Sequence, residues 1–182
     1  MAGRARRADA ERNARLLLAA ARELFDEQGP SAALDEIAKR AGVGNATLYR
    51  HYPTRADLLV AVYADEVAAL CDRGSALLGE PAAGEALHTW LEAFAVHVAT
   101  RRTLAFAGTE ADGERRTALF ERWHAALTST AAELLTRAQR SGHVRGDLTV
   151  AEVLTLVNAV AAADTDPARV RRLLSIVRHG LT

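Results

Sequence analysis

In this 182-residue chain, the seven consecutive residues 45–51 include five side chains that can hydrogen-bond to another molecule. They carry an amide, two hydroxyls, a guanidinium and an imidazole, on Asn45, Thr47, Tyr49, Arg50 and His51. Groups of these kinds donate to and accept from base edges and phosphate oxygens. We therefore interpret the stretch as a surface that reads DNA.

Helical spacing predicts that this stretch is a short helix with one buried side. Leu48 and Tyr52 lie four residues apart and should face the core, while Ala46 joins the polar side chains outside. Asn45 is a favourable N-cap, and Pro53 stops the helix. A single exposed tyrosine or histidine has an ordinary explanation as a packing or surface residue. The concentration of such residues on one short helix is what indicates DNA recognition.

A second short helix is expected to brace the reading helix. Residues 34–41 are apolar on one face. The turn follows at 42–44, where Gly42 is expected to take positive φ. Segment 33–52 therefore predicts a helix-turn-helix, whose second helix enters the major groove.

The segments before this motif also predict where helices begin and end. Residues 9–28 have an apolar face at helical spacing, and Gly29-Pro30 ends that helix. The arginines of residues 1–8 fit either a frayed tail or an arm that touches DNA. Ser31 is the candidate cap of the second helix, because Ala33 stands where a capping hydroxyl is usual.

Residues 14–63 resemble the DNA-binding domain of the TetR family of bacterial repressors. The resemblance rests on I-A-x-x-A-G-V at 37–43, T-L-Y-x-H-Y at 47–52 and the helix opening D-L-L at 57–59. It implies an all-α fold with an N-terminal three-helix helix-turn-helix domain and a C-terminal helical domain that binds an effector and dimerises. These domains would occupy residues 1–56 and 57–182.

The resemblance also implies partners and contacts. A homodimer would bind double-stranded operator DNA, and a small-molecule effector would release it, as expected of a repressor. Carried over position by position, the resemblance assigns DNA contacts to Asn45, Ala46, Thr47, Tyr49, Arg50 and His51, and a phosphate contact to Arg55.

The C-terminal half predicts further helices, which bring the total to about nine. They span about 55–78, 85–101, 103–108, 114–140, 149–163 and 167–179. The last two have more apolar surface than a small single-chain body can cover, and the resemblance implies that they form an intersubunit four-helix bundle. The predicted interface residues are Val153, Val157, Val170, Leu173, Leu174 and Val177.

Larger or polar side chains at apolar-leaning positions predict the lining of an effector pocket. They are Trp90, Phe94, His97, Phe106, Trp123, His124 and Asn158. For any one of them, plain core packing is the better explanation. The histidines lack metal-ligand spacing, so no metal or cofactor is expected.

Composition limits the remaining function classes. Zero formal net charge argues against a protein that coats DNA without selectivity. No apolar run approaches the ~20 residues of a membrane span, and no signal peptide is recognisable, so a cytoplasmic protein is expected. No catalytic motif is present, which argues against an enzyme. A constitutive DNA-binding dimer without an effector remains an alternative, as does a small helical enzyme with a coincidental helix-turn-helix.

Overall fold

The computed structural model describes residues 2–107 and 113–178, with side chains described for 7–101 and 119–178. Within these ranges every regular element is a helix, which confirms the predicted all-α fold. The eight helices are α1 (Ala2–Gln28), α2 (Leu34–Arg40), α3 (Asn45–His51), α4 (Arg55–Leu77), α5 (Ala83–Ala107), α6 (Gly113–Arg140), α7 (Val150–Ala163) and α8 (Pro167–Arg178).

Two helices are longer than the sequence predicts. Helix α5 joins the segments predicted at 85–101 and 103–108, because neither glycine nor proline interrupts the chain between them. Helix α1 begins at Ala2, seven residues before its expected start. The arginines and alanines there are good helix formers, so the N-terminal segment continues the helix.

The described chain divides into two compact units. One takes the chain up to Asp65 together with a segment from Thr103, and the other takes Glu66–Arg102 and the chain from Glu114 onward. Helices α1, α2 and α3 therefore belong to the first unit, and α6, α7 and α8 belong to the second.

A single apolar core holds the first unit together. Leu17, Leu24, Ile37, Leu48 and Leu58 are fully buried in it, so α1, α2, α3 and the start of α4 share one interior. Partly buried apolar side chains close its edge: Leu18, Leu34, Ala41, Val43 and Tyr52. The predicted buried side of α3 is thereby confirmed.

The helix ends in the first unit follow their local chemistry, with one correction. Gly29 ends α1 with φ +80°, and Gly42 takes the expected positive φ of +68° after α2. Helix α2 begins after Ala33, which supplies no side-chain hydrogen bond, so Ser31 is not its cap. The N-cap of α3 is Gly44, with φ −74° and ψ 149°. The prediction that Asn45 caps α3 is wrong, because Asn45 is already the first helical residue.

The start of α4 is secured by a reciprocal cap. The Thr54 backbone N–H donates to Asp57 Oδ2 over 2.9 Å, and the Asp57 N–H donates to Thr54 Oγ1 over 3.1 Å. This arrangement satisfies two backbone donors that the helix itself leaves unpaired. It confirms the predicted helix start directly after α3.

The second unit is packed around Trp90. Its indole Nε1 donates to the Leu70 carbonyl over 2.9 Å, which ties α5 to α4. Gly74 permits the close packing, because a Cβ there would collide with Thr130 and crowd Trp90. Helix α7 starts with a full capping box between Thr149 and Glu152. Within the described residues, no helix is long and apolar enough to cross a membrane.

Candidate nucleic-acid interface

Helix α3 presents its polar side chains outward, as the spacing predicts. Leu48 faces the core, with 1 % of its surface exposed, while Tyr49 is 48 % exposed. Asn45, Ala46 and Arg50 are exposed as well, and Thr47 and His51 are half-buried. The structure therefore brings all six predicted reading residues onto one seven-residue helix.

Two hydrogen bonds hold the polar side chains of α3 in place. Asn45 Nδ2 donates to Asp35 Oδ1 of α2 over 2.9 Å. Arg50 Nη2 donates to Thr47 Oγ1, one turn earlier, over 3.2 Å. Side chains that are already oriented lose less entropy when they bind. Asp35 is thus a residue of this surface that the sequence analysis missed, since no local pattern indicates a contact between residues ten positions apart.

The Arg55 guanidinium hydrogen-bonds to the backbone of the loop before α2. Its Nη1 donates to the Pro30 carbonyl over 3.0 Å and to the Ala32 carbonyl over 2.5 Å. The side chain is half-buried, at the first residue of α4. Arg55 therefore fastens the loop between α1 and α2 to the start of α4.

Two side-chain hydrogen bonds connect α2 to the end of α1. Arg40 donates to Glu27 over 2.7 Å, and Gln28 donates to Glu36 over 3.2 Å. The Arg40 hydrogen bond holds the pKa of the Glu27 carboxyl below its ordinary value and raises the pKa of Arg40 in turn. Both side chains are exposed, so these shifts reflect pairing on the surface and not burial.

The predicted pocket residues do not form one lining. Trp90 and Phe94 are buried and stack with centroids 5.4 Å apart. His97 is buried with its Nδ1 3.5 Å from Glu66 Oε2. Trp123 is half-buried, whereas His124 and Asn158 are exposed; the Phe106 side chain lies outside the described residues.

A cavity of about 170 Å³ lies elsewhere in the second unit. It is bounded by the first two turns of α5, the loop between α6 and α7, and the end of α8. Leu87, Leu91 and Val144 contribute apolar walls, and His88, His143, Glu85 and Arg178 contribute polar ones. Local patterns could not indicate this site, because Glu85 and Arg178 are 93 positions apart.

The predicted dimer-interface residues divide into two groups. Val153, Val157, Val170 and Leu174 are at most 2 % exposed and pack inside the protomer. Leu173 and Val177 of α8 are half-buried. The large apolar side chains that α7 and α8 leave exposed are Leu156 and Ile176, at 44 % and 62 %.

Comparisons with known proteins agree on one family for both parts of the chain. The family profile described as bacterial regulatory proteins, tetR family, matches residues 17–62. The profile described as the C-terminal domain of SbtR-like transcriptional regulators matches residues 82–182, more than half of the chain.

One curated relative is similar in the N-terminal part of the chain, and one solved structure shares the fold. An HTH-type transcriptional regulator of Staphylococcus aureus is 42 % identical over 53 residues, which cover 29 % of this chain and 29 % of that protein. The chain thus matches under a third of the length of such curated relatives. FadR of Bacillus subtilis, solved in complex with stearoyl-CoA, shares the fold at 17 % identity and a TM-score of 0.61, over 92 % of this chain and 98 % of its own.

A further solved structure is similar in sequence over nearly the whole molecule. The crystal structure of a TetR transcriptional regulator from Streptomyces coelicolor is 32 % identical, covers 92 % of this chain and 97 % of its own, and has a TM-score of 0.79. Similarity at this level is not confined to the short motif at residues 33–52. The chain belongs to the TetR family of bacterial transcriptional regulators.

Proposed function

We propose that this protein is a transcriptional repressor that binds operator DNA through α3. The observation that carries the proposal is the exposed polar face of α3, held by the core residue Leu48 beneath it and by α2 beside it. A helix of this kind fits the major groove and reads base edges. Tyr49 and Arg50 are the most direct readers, because both are exposed on its outer side. Asn45, Ala46, Thr47 and His51 complete the contact surface.

Arg55 takes a supporting part in this proposal. Its hydrogen bonds to two carbonyls of the loop before α2 fix the position of the motif relative to α4. A guanidinium engaged in this way has fewer donors left for a phosphate. We therefore assign Arg55 to positioning the reading helix.

The proposed repressor is a homodimer that uses α7 and α8. Leu156 and Ile176 are the large apolar side chains that these helices leave in water in the single chain. Half-buried Leu173 and Val177 lie on α8 with Ile176 and extend that surface. Pairing the two helices with those of a second copy would bury this surface in a four-helix arrangement with twofold symmetry.

In the proposed regulation, a small molecule binds in the second unit and releases the repressor from operator DNA. Both events would take place in the cytoplasm, where the operator lies. FadR of Bacillus subtilis, which shares the fold, is solved with stearoyl-CoA bound. In the dimer, the two copies of α3 would stand roughly 34–36 Å apart to reach successive major grooves. An effector that favours another spacing, with a coupling of ~1–3 kcal/mol, would weaken operator binding by about 5- to 150-fold.

Binding to duplex DNA from the region upstream of its own coding sequence tests the proposal. We expect a retarded complex in a gel-shift assay at low salt, and its loss when Tyr49 or Arg50 is changed to alanine. Absence of any complex with wild-type protein would contradict the assignment as a DNA-binding repressor. The alternative, a constitutive DNA-binding dimer, predicts an operator complex that no small molecule dissociates.

A further inference from the structure

The cavity of about 170 Å³ in the second unit has both apolar and charged side chains in its wall. Leu87 and Leu91 are almost fully buried and form part of its wall together with Val144. Among the charged side chains of the wall, Arg178 of α8 pairs with Glu85 in the first turn of α5. A cavity of this kind suits a molecule with an apolar body and a single polar head.

Arg178 already holds a carboxylate at the cavity. Both of its Nη atoms donate to the Glu85 side chain, one of them over 3.1 Å to Oε2. This two-pronged geometry is the one in which guanidinium groups bind carboxylates. The Glu85 side chain is 61 % exposed, and exposed ion pairs contribute little to stability. A competing carboxylate therefore displaces Glu85 at small cost.

The other polar side chains at the cavity are also suited to an anion. His88 and His143 line it, and the pKa of Glu85 is lowered first by the Arg178 hydrogen bond and further by these two imidazoles. Glu92, one turn further along α5, has its carboxylate 3.2 Å from His88 Nε2 and is not part of the lining. Glu85 is thus the carboxylate that a ligand would replace.

The volume limits the size of that ligand. An apolar cavity of about 150 Å³ in another protein accommodates benzene. A body of roughly six carbon atoms with its head at Arg178 therefore fits the space. Larger groups would require the loop at His143 to move, because even a Cβ added at Gly84 would lie only 2.9 Å from the His143 side chain.

We propose that this cavity binds a small organic carboxylate with an apolar body, whose carboxylate takes the place of Glu85 on Arg178. The binding itself is independent of DNA. Only its effect on the operator complex rests on the proposed repressor function.

Isothermal titration calorimetry of the full chain with benzoate, and with benzyl alcohol as the neutral probe of the same shape, tests the proposal. We expect benzoate to bind about two- to fivefold more tightly than benzyl alcohol, because the alcohol cannot form the ion pair with the partly exposed Arg178. Equal affinities, or no heat with benzoate, would overturn the assignment.

Three variants locate the bound probe. Arg178→Gln should weaken benzoate binding by about two- to fivefold. Glu85→Gln should tighten it by about two- to fivefold, because the competing carboxylate is gone. Val144→Phe should abolish it by filling the cavity. Circular dichroism establishes whether each variant is folded. Glu85→Gln is informative even if the other two variants are unstable, because a gain in benzoate affinity cannot result from unfolding.

The results separate this inference from the proposed function. Benzoate binding that follows the three variants, without any change in the operator complex, would support the site and count against effector-induced release by this ligand class. Benzoate affinity that is unchanged by Arg178→Gln and Val144→Phe would place the probe elsewhere and refute the site, whatever the DNA does.

Discussion

Replacing Arg55 by alanine separates a fastening role from a phosphate contact. The Arg55 guanidinium donates to the Pro30 and Ala32 carbonyls at 3.0 and 2.5 Å in a half-buried setting. Hydrogen bonds from a charged donor contribute ~1.5–3 kcal/mol each, and partial exposure favours the lower end. The loss is therefore about 3 kcal/mol in the free energy of unfolding. For a chain of this size it corresponds to a fall in Tm of roughly 6–12 °C.

The measurement has two parts, thermal unfolding and the salt dependence of operator binding. If Arg55 fastens the loop, Tm falls while the slope of log affinity against log salt stays the same. If Arg55 grips a phosphate, each protomer loses one contact, and the slope of the dimer falls by about 1.8, that is 0.9 per contact. An unchanged Tm together with that smaller slope would refute the fastening role.

Arg50→Ala is the matched control. Arg50 is exposed, and its hydrogen bond in the protein is to the neighbouring Thr47 side chain on the same helix. Its removal should leave Tm within about 2 °C, because surface substitutions change stability by less than about 0.5 kcal/mol. Operator affinity should fall all the same. Arg55→Ala should thus lower Tm without changing the salt slope, whereas Arg50→Ala should lower operator affinity without lowering Tm.

Three further substitutions test the turn, the dimer and a surface ion pair. Gly42→Ala should lower the free energy of unfolding by about 1–2 kcal/mol, because Gly42 has a φ of +68° and an added Cβ would meet no other atom that could explain the loss. Gly44→Ser, at a φ of −74°, should be neutral or stabilising. Equal effects of the two variants in chemical denaturation would contradict the role of backbone strain. Ile176→Asp should give a monomer in sedimentation velocity. The control is Leu16→Asp, which changes an exposed leucine on α1 and should leave the protein dimeric. A dimeric Ile176→Asp protein would exclude this α8 surface as the interface. Glu27 has a lowered pKa in the folded state, so its pairing with Arg40 stabilises the protein above pH 4.5, and this stabilisation is lost as pH falls through the folded pKa. Glu27→Gln should therefore destabilise the protein at pH 7 and have no effect on stability near pH 2. The same loss of stability at both pH values would refute the pairing.

Periodicity and glycine chemistry were sufficient to predict most of the first unit. The four-residue spacing of Leu48 and Tyr52 places one side of α3 toward the core, and the structure has Leu48 buried and Tyr52 half-buried there. Positive φ at Gly42 followed from its position after an apolar helix. These features depend on neighbours within one or two turns, so a local pattern contains the information.

The errors arise where a distant residue decides the outcome. The Asn45 amide hydrogen-bonds to Asp35 on the neighbouring helix, and Gly44 takes the cap position. The Arg55 guanidinium turns to two loop carbonyls more than twenty residues earlier in the chain. Neither contact can be inferred from residues within one or two turns of Asn45 or Arg55.

The second unit shows the same limit more strongly. Aromatic side chains at helical spacing suggested a pocket, yet Trp90 and Phe94 stack on each other inside the core. The cavity lies instead near Arg178 and Glu85, which only the folded chain brings together. The predicted interface valines Val153 and Val157 are likewise buried within the protomer. An apolar pattern predicts burial but does not distinguish a helix's own core from a partner's.

The most direct test of sequence-selective DNA binding by α3 is fluorescence anisotropy with two duplexes of equal length. One duplex comes from the region upstream of the coding sequence, and the other is a shuffled version of it. At physiological salt we expect wild-type protein to prefer the first duplex by about 10³-fold or more. The Arg50→Ala and Tyr49→Ala variants should each bind the first duplex roughly five- to 150-fold more weakly than wild-type protein while remaining folded. Equal binding of the two duplexes by wild-type protein, or full selectivity in both alanine variants, would contradict the account.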